Sequence, residues 1–261
     1  MAATTKIAWV DATQNFWIGC SKVSAGCKNC YAIPIAKQRK WAKWGVNEPR
    51  HITSVAYWKQ PYAWNRKALK NGKRLRVFCA SLADVFDSHP DLVEPRERMW
   101  KVIRETRCLD WLLLTKRPEN IASMLPPDWG DGYPNVWLGT SVEDMRVAHR
   151  IDTLRTIPAA IRFVSYEPAL GPLDQADLRG VQWLICGAES GPNYRTMDET
   201  WAIAMRDKCK REGVTFFFKQ HNGKQSGVEP TLQGVKHYKW PRSRRLRKQR
   251  VQTGVGATKT E

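Results

Sequence analysis

Three cysteines fall within eleven residues in the stretch "IGCSKVSAGCKNCY", at Cys20, Cys27 and Cys30. A structural zinc site closes with four ligands, whereas a catalytic metal centre keeps one position open. A zinc clasp would need a fourth donor, and His51 and Cys79 come next along the chain. Three clustered thiols without a metal would invite oxidation. A [4Fe–4S] cluster held by three thiolates would leave one iron open to a bidentate ligand. The seven cysteines are an odd number, which argues against a disulfide framework and for a reducing compartment. Cys79, Cys108, Cys186 and Cys209 each sit in an apolar pattern and read as small buried hydrophobes.

The elements that must position such a site alternate along the chain. Apolar, β-rich runs predict strands over Phe16–Gly19, Arg76–Ala80, Trp111–Thr115, Asn135–Gly139, Arg162–Ser165, Trp183–Gly187 and Val214–Lys219. Amphipathic stretches predict helices over Cys30–Trp44, Pro95–Thr106, Pro118–Leu125, Val142–Thr156 and Met197–Glu212. Alternation of this kind implies βαβ units and a parallel sheet. Near-continuous runs such as "WLLLT" fit strands buried on both faces. Six or seven βα units favour an α/β fold built as a partial (β/α) TIM-like barrel over a short doubly wound sheet. Polar residues follow the strands: Ser81 and Asp84; Lys116 and Arg117; Glu143; Glu167; Glu189; Lys219 and Gln220. In a barrel such strand ends converge on one mouth, where active sites sit.

Charge narrows the partners. The chain of 261 residues carries a formal +18. Lys37 to Arg76 holds twelve Lys/Arg and one acid, Glu48. The last 26 residues hold nine Lys/Arg against Glu261, so the rest still carries +10. A surface like this attracts polyanions, with counterion release for each phosphate neutralised. The expected organisation is a barrel domain over 1–235, with a basic, aromatic insertion at 37–75, and a disordered basic tail over 236–261. Apolar runs are too short to span a bilayer and the N-terminus lacks a signal-peptide pattern, so a cytoplasmic protein without a membrane partner is expected.

The blocks "TKIAWVDATQNFWIGCSKVSAGCKNCYA", "VFCASLADVFD", "WLLLTKRPEN", "NVWLGTSVED", "RFVSYEPALGPLD", "LICGAESGPNYRTMD" and "FFFKQ" occur in that order over residues 5–221. In them the chain resembles a phage- and bacteria-associated, radical S-adenosylmethionine-like family with a three-cysteine motif. The resemblance implies a partial barrel, a [4Fe–4S] cluster on Cys20, Cys27 and Cys30, and S-adenosylmethionine cleaved to a 5′-deoxyadenosyl radical with an electron from a separate donor. The motif departs from the usual C-x3-C-x2-C of such enzymes. Its first gap is six residues, and the aromatic Tyr31 follows the third cysteine instead of preceding it. With that cofactor, Ser81 and Asp84 are candidates for a methionine amino group or ribose. Glu167 and Glu189 suit hydroxyls or the ammonium, and Lys116 or Arg117 the carboxylate. Lys219 could reach the same mouth or turn outward.

Lys40, Trp41, Lys43 and Trp44 combine cations for phosphates with aromatics that stack on exposed bases. Arg244, Arg245 and Arg247 would make a phosphate-contacting arm. DNA or RNA is therefore the expected substrate, with its target base unpaired or flipped out. The resemblance suggests isomerisation of an amino-acid-modified (glycyl) thymidine during phage DNA hypermodification, in the host cytoplasm. Radical chemistry on a peptide or small molecule, repair of a DNA lesion, and a zinc-stabilised nucleic-acid-binding module without catalysis are the alternatives.

Overall fold

The computed structural model describes residues 5, 7–228 and 230–242. The chain enters through β1 (Ala12–Thr13) and sets β2 (Trp17–Ile18) antiparallel to β3 (His51–Ile52). It then lays down β4 (Leu75–Cys79), β5 (Leu109–Thr115), β6 (Val136–Ser141), β7 (Ile161–Tyr166), β8 (Trp183–Gly187) and β9 (Thr215–Gln220). β1 and β4 to β9 form one seven-stranded sheet in chain order, every neighbouring pair parallel. No reversal of order occurs, unlike in a doubly wound sheet, and the sheet curls into a half-barrel. This mixed α/β architecture is compatible with the expected partial β/α barrel.

Helices fill most of the crossovers: α1 (Ala32–Gln38), α2 (Val55–Trp58) and α3 (Gln60–Asn71) before β4, then α4 (Val93–Glu105), α5 (Ile121–Met124), α6 (His149–Arg155) and α7 (Glu199–Glu212). Local sequence explains their limits. α3 starts with Pro61 in its first turn, where no N–H is needed, and stops at Gly72 with φ of 62°. α7 starts where the Asp198 side chain accepts from the Thr200 N–H at 2.9 Å. Among the described residues, no helix is long and apolar enough to cross a membrane.

Three expectations shift. The first strand of the parallel sheet is Ala12–Thr13, not Phe16–Gly19, whose central residues Trp17 and Ile18 pair with Ile52 and His51 instead. The basic stretch at 37–75 contains α2 and α3, and α3 leads directly into β4, so it forms part of the first crossover of the sheet. Lys236–Trp240 is packed against the body of the protein. Tyr238 stacks on Phe217 at 4.5 Å, and the Trp240 indole donates to the Trp9 carbonyl at 2.9 Å. Ordered chain therefore runs past residue 235. Arg244, Arg245 and Arg247 lie outside the described residues.

Both faces of the sheet are buried. Phe78, Leu112, Trp137, Phe163, Trp183, Ile185 and Phe217 point to the inner face with Trp9. Alternate positions such as Val77, Trp111, Leu113, Leu184 and Phe218 point outward to the helices. This double burial is why the strands read as unbroken apolar runs. The inner face is tightly packed at Gly139, where an added Cβ would lie 2.3 Å from the Phe163 ring. Gly139→Ala is expected to cost about 1–3 kcal/mol through overpacking, read as a lower urea midpoint with an unchanged slope. An unchanged midpoint would show that the Phe163 ring swings aside freely.

Candidate functional site

At the C-terminal ends of the strands lies a cavity of about 480 Å³, within the usual range for small-molecule sites. Its apolar lining includes Trp9, Phe78 and Leu114. Cys20, Cys27 and Cys30 line it, as do Ser81, Asp84, Glu167 and Glu189, together with Lys116, Arg117 and Lys219. Residues up to 219 positions apart in sequence, Ile7 and Ser226, thus line one cavity.

The cysteine loop leaves β2 through Gly19, whose φ of 116° is one that residues with a Cβ rarely adopt. It makes a single 3₁₀ turn at Ala25–Cys27, then enters α1 two residues after Cys30. Three buried or half-buried groups fasten it. Arg117 donates through Nη2 to the Ser21 carbonyl at 2.9 Å and hydroxyl at 2.6 Å, and its Nη1 lies 3.6 Å from the Cys20 Sγ. Glu143 accepts from the Ser24 hydroxyl at 2.8 Å. It also lies against Gly26, where an added Cβ would fall 2.2 Å from its Oε1. Glu189 accepts from the Asn29 amide at 2.9 Å and holds Arg195, which donates to the Ala25 carbonyl at 3.0 Å. Behind the loop, the Tyr31 hydroxyl donates to the Ser81 carbonyl at 2.8 Å.

These contacts change what some carboxylates can do. Asp84 accepts from Phe86 N, Thr115 Oγ1, Lys116 N and Arg117 Nη1, at 2.7 to 3.1 Å. Its oxygens are engaged by the chain, and through them it positions Arg117. Glu189 is likewise engaged: burial would raise its carboxyl, but donors from Arg195 and Asn29 outweigh that and hold it below its ordinary value. The Ser81 hydroxyl is bonded to Asn15 at 3.1 Å. Among the described residues, Glu167 has one partner of opposite charge, Lys219, at 2.6 Å, and both line the cavity. Lys219 therefore turns inward.

Two of the cysteines, Cys20 and Cys30, favour the protonated thiol. Burial pushes Cys20 up to about 12, with Asp84 pushing the same way and Arg117 pulling back. Burial also raises Cys30. A metal binding here would have to displace those protons. Among the described residues, no three His, Cys, Asp or Glu side chains are placed to share one metal ion. Cys79, one proposed fourth zinc ligand, is 1 % exposed in the outer core, and His51 sits exposed in β3. Neither lines the cavity. Three thiols facing one cavity, without a fourth, fit a cluster that takes one thiolate per iron better than a single-ion clasp. Cys79, Cys186 and Cys209 are buried as expected, while Cys108 is half-buried.

At the rim, α1 ends at Gln38, Lys40 turns the chain with a φ of 54°, and the Trp41 N–H closes on the Ala36 carbonyl at 3.0 Å. Lys40, Trp41 and Lys43 are consequently exposed, with the Arg39 guanidinium 5.8 Å from the Trp41 ring. Of that group only Trp44 lines the cavity. Trp58 and Trp64 are buried core anchors.

Residues 4–254 match the family described as "Protein of unknown function (DUF5131)". The chain belongs to that family. No curated protein and no solved structure matches it. Within this DUF5131 chain, sequence reasoning marked the cysteines and the strand-end polar residues. It missed Ser24, Asn29 and Arg195, whose partners lie 119 to 170 residues away. Only the Glu143 and Glu189 strand-end positions hinted at them.

Proposed function

We propose that the chain is a radical S-adenosylmethionine enzyme acting on nucleic acid, with a glycyl-modified thymidine in DNA isomerised during base hypermodification. One observation carries the chemical class: Cys20, Cys27 and Cys30 converge on a cavity at the C-terminal ends of a curled parallel sheet. In this reading the half-barrel is a TIM-like β/α barrel left open. The three thiols would hold a [4Fe–4S] cluster, and bound S-adenosylmethionine would supply a 5′-deoxyadenosyl radical. The chain's own residues have definable tasks. Arg117, Glu143 and Glu189 hold the cysteine loop in register with the strand ends. Trp9, Phe78 and Leu114 keep the adjacent wall apolar, which excludes water from reactive species. Glu167 and Lys219 present opposite charges to any ammonium or carboxylate that enters. Support for nucleic acid comes from the exposed Lys40, Trp41 and Lys43 beside the mouth, since a stacked, unpaired base is the form such chemistry requires.

The deciding experiment is anaerobic iron and sulfide analysis of reconstituted wild type and Cys27→Ala. About four irons per chain, lost in the variant, are expected. Zinc without iron would turn the cysteines into a structural clasp. If the loaded protein cleaves cofactor yet leaves glycyl-thymidine DNA unchanged, the substrate assignment fails and the chemical class stands.

A further inference from the structure

Outside the cavity, the outer face of α3 stands apart from the other long helices. Its exposed positions include Lys59 just before it, then Arg66, Lys67 and Lys70. Spacings of seven, three and four residues put these on one side, opposite the buried Pro61, Trp64 and Ala68. α4 and α7 instead mix signs on their surfaces, with Glu94 paired to Arg98 and Glu212 to Lys208. Among the described residues, the four cations around α3 have no carboxylate within ion-pair distance. Glu105 approaches the helix, but the Tyr62 hydroxyl engages it. A solubilising surface mixes charges, whereas an unpaired row of one sign is arranged for a polyanion.

Position adds direction. α3 ends at Gly72 and passes straight into β4 at Leu75. The helix therefore runs antiparallel to the strand, and its Lys59 end lies at the cavity end of the sheet. From Lys59 to Lys70 the row covers roughly 16 Å at the α-helical rise, the length of about five base-pair steps. No tryptophan is exposed on this face, since Trp64 is buried. It offers charge without stacking, which suits paired DNA; the exposed Trp41 at the rim suits an unpaired base.

We propose that α3 is a duplex-docking face: DNA whose target nucleotide enters the cavity lays its flanking paired backbone along Lys59, Arg66, Lys67 and Lys70. This rests on the nucleic-acid reading above and names where the rest of that substrate lies. The contact is to phosphates and reads no sequence.

The test uses the full chain, wild type and the triple variant Arg66→Gln, Lys67→Gln, Lys70→Gln, with a labelled 30-base-pair duplex and the matching single strand. Circular dichroism checks that the variant is folded, as exposed positions on one helix should allow. Binding is followed across salt concentrations. For duplex, the slope of log affinity against log salt should fall by about 2.7 in magnitude, at roughly 0.9 per lost phosphate contact. The single strand should lose much less. An unchanged duplex slope overturns the proposal, as does wild type that ignores duplex but binds anionic phosphatidylserine vesicles through the same residues. An iron-free protein that still shows the slope change would sink the radical reading and leave this face standing.

Discussion

Glu143→Ala is expected to lose about 3–5 kcal/mol of stability, the range for removing one partner from a buried ion pair. Glu143 is 1 % exposed and sits between Arg150, at 3.1 Å, and Lys116, at 3.3 Å. Arg150 is itself buried and keeps only the Ser141 carbonyl when Glu143 is gone. That leaves a guanidinium in the interior without its counter-charge, and the desolvation cost is then uncompensated. The same substitution removes the acceptor for Ser24, so the cysteine loop loses its middle fastening. Urea unfolding measures the first effect, and hydrogen exchange over residues 20–30 measures the second. Glu143→Gln separates them: it keeps the hydrogen bond to Ser24 while losing the charge, so stability should fall with the loop's protection largely retained. A loss under about 1 kcal/mol for the alanine variant would mean that water enters and solvates Arg150.

How much of this was readable beforehand follows from the range of the interactions involved. Strands β5, β6, β7, β8 and β9 were legible because burial on both faces forces unbroken apolar runs. β1 was not, because Ala12–Thr13 is only two residues long and carries no such run. The apolar stretch beside it, around Trp17, looked like the missing strand but pairs antiparallel with His51–Ile52. The convergence of Ser81, Asp84, Glu167 and Glu189 with the cysteines followed from barrel geometry, since parallel strands end on one side. What each carboxylate does there could not be read. Whether Asp84 faces a ligand or Arg117 depends on contacts across 31 to 33 residues, and a single sequence carries no trace of them. Nor did composition reveal that Tyr238 and Trp240 cover the inner face, because in sequence they look like the start of a charged tail.

Asp84→Ala should be the more damaging change for the cysteine loop, because it acts through Arg117. Four donors converge on this carboxylate, two of them backbone N–H groups that would be left without an acceptor. Arg117 is buried, and burial works against its charge; Asp84, with Asp87 behind it, holds its proton more tightly than usual. Without Asp84 the nearest remaining carboxylate oxygen is on Asp87 at 3.9 Å, and Asp87 is already committed to Arg50 at 2.7 Å. The expected loss is about 3–5 kcal/mol for a buried charge left unpaired. Its distinguishing signature is local: Arg117 releases Ser21, and Cys20 becomes open to alkylation while Cys209, on the buried face of α7, stays protected. Iodoacetamide labelling read by peptide mass at both cysteines, under conditions where the variant remains folded, measures this. Equal labelling of Cys20 and Cys209 would indicate global unfolding. Unchanged Cys20 labelling would show that Glu143 and Glu189 hold the loop without Arg117. Asp84→Asn keeps one acceptor oxygen but turns an amide toward donors, so it should fall between wild type and alanine in both readouts.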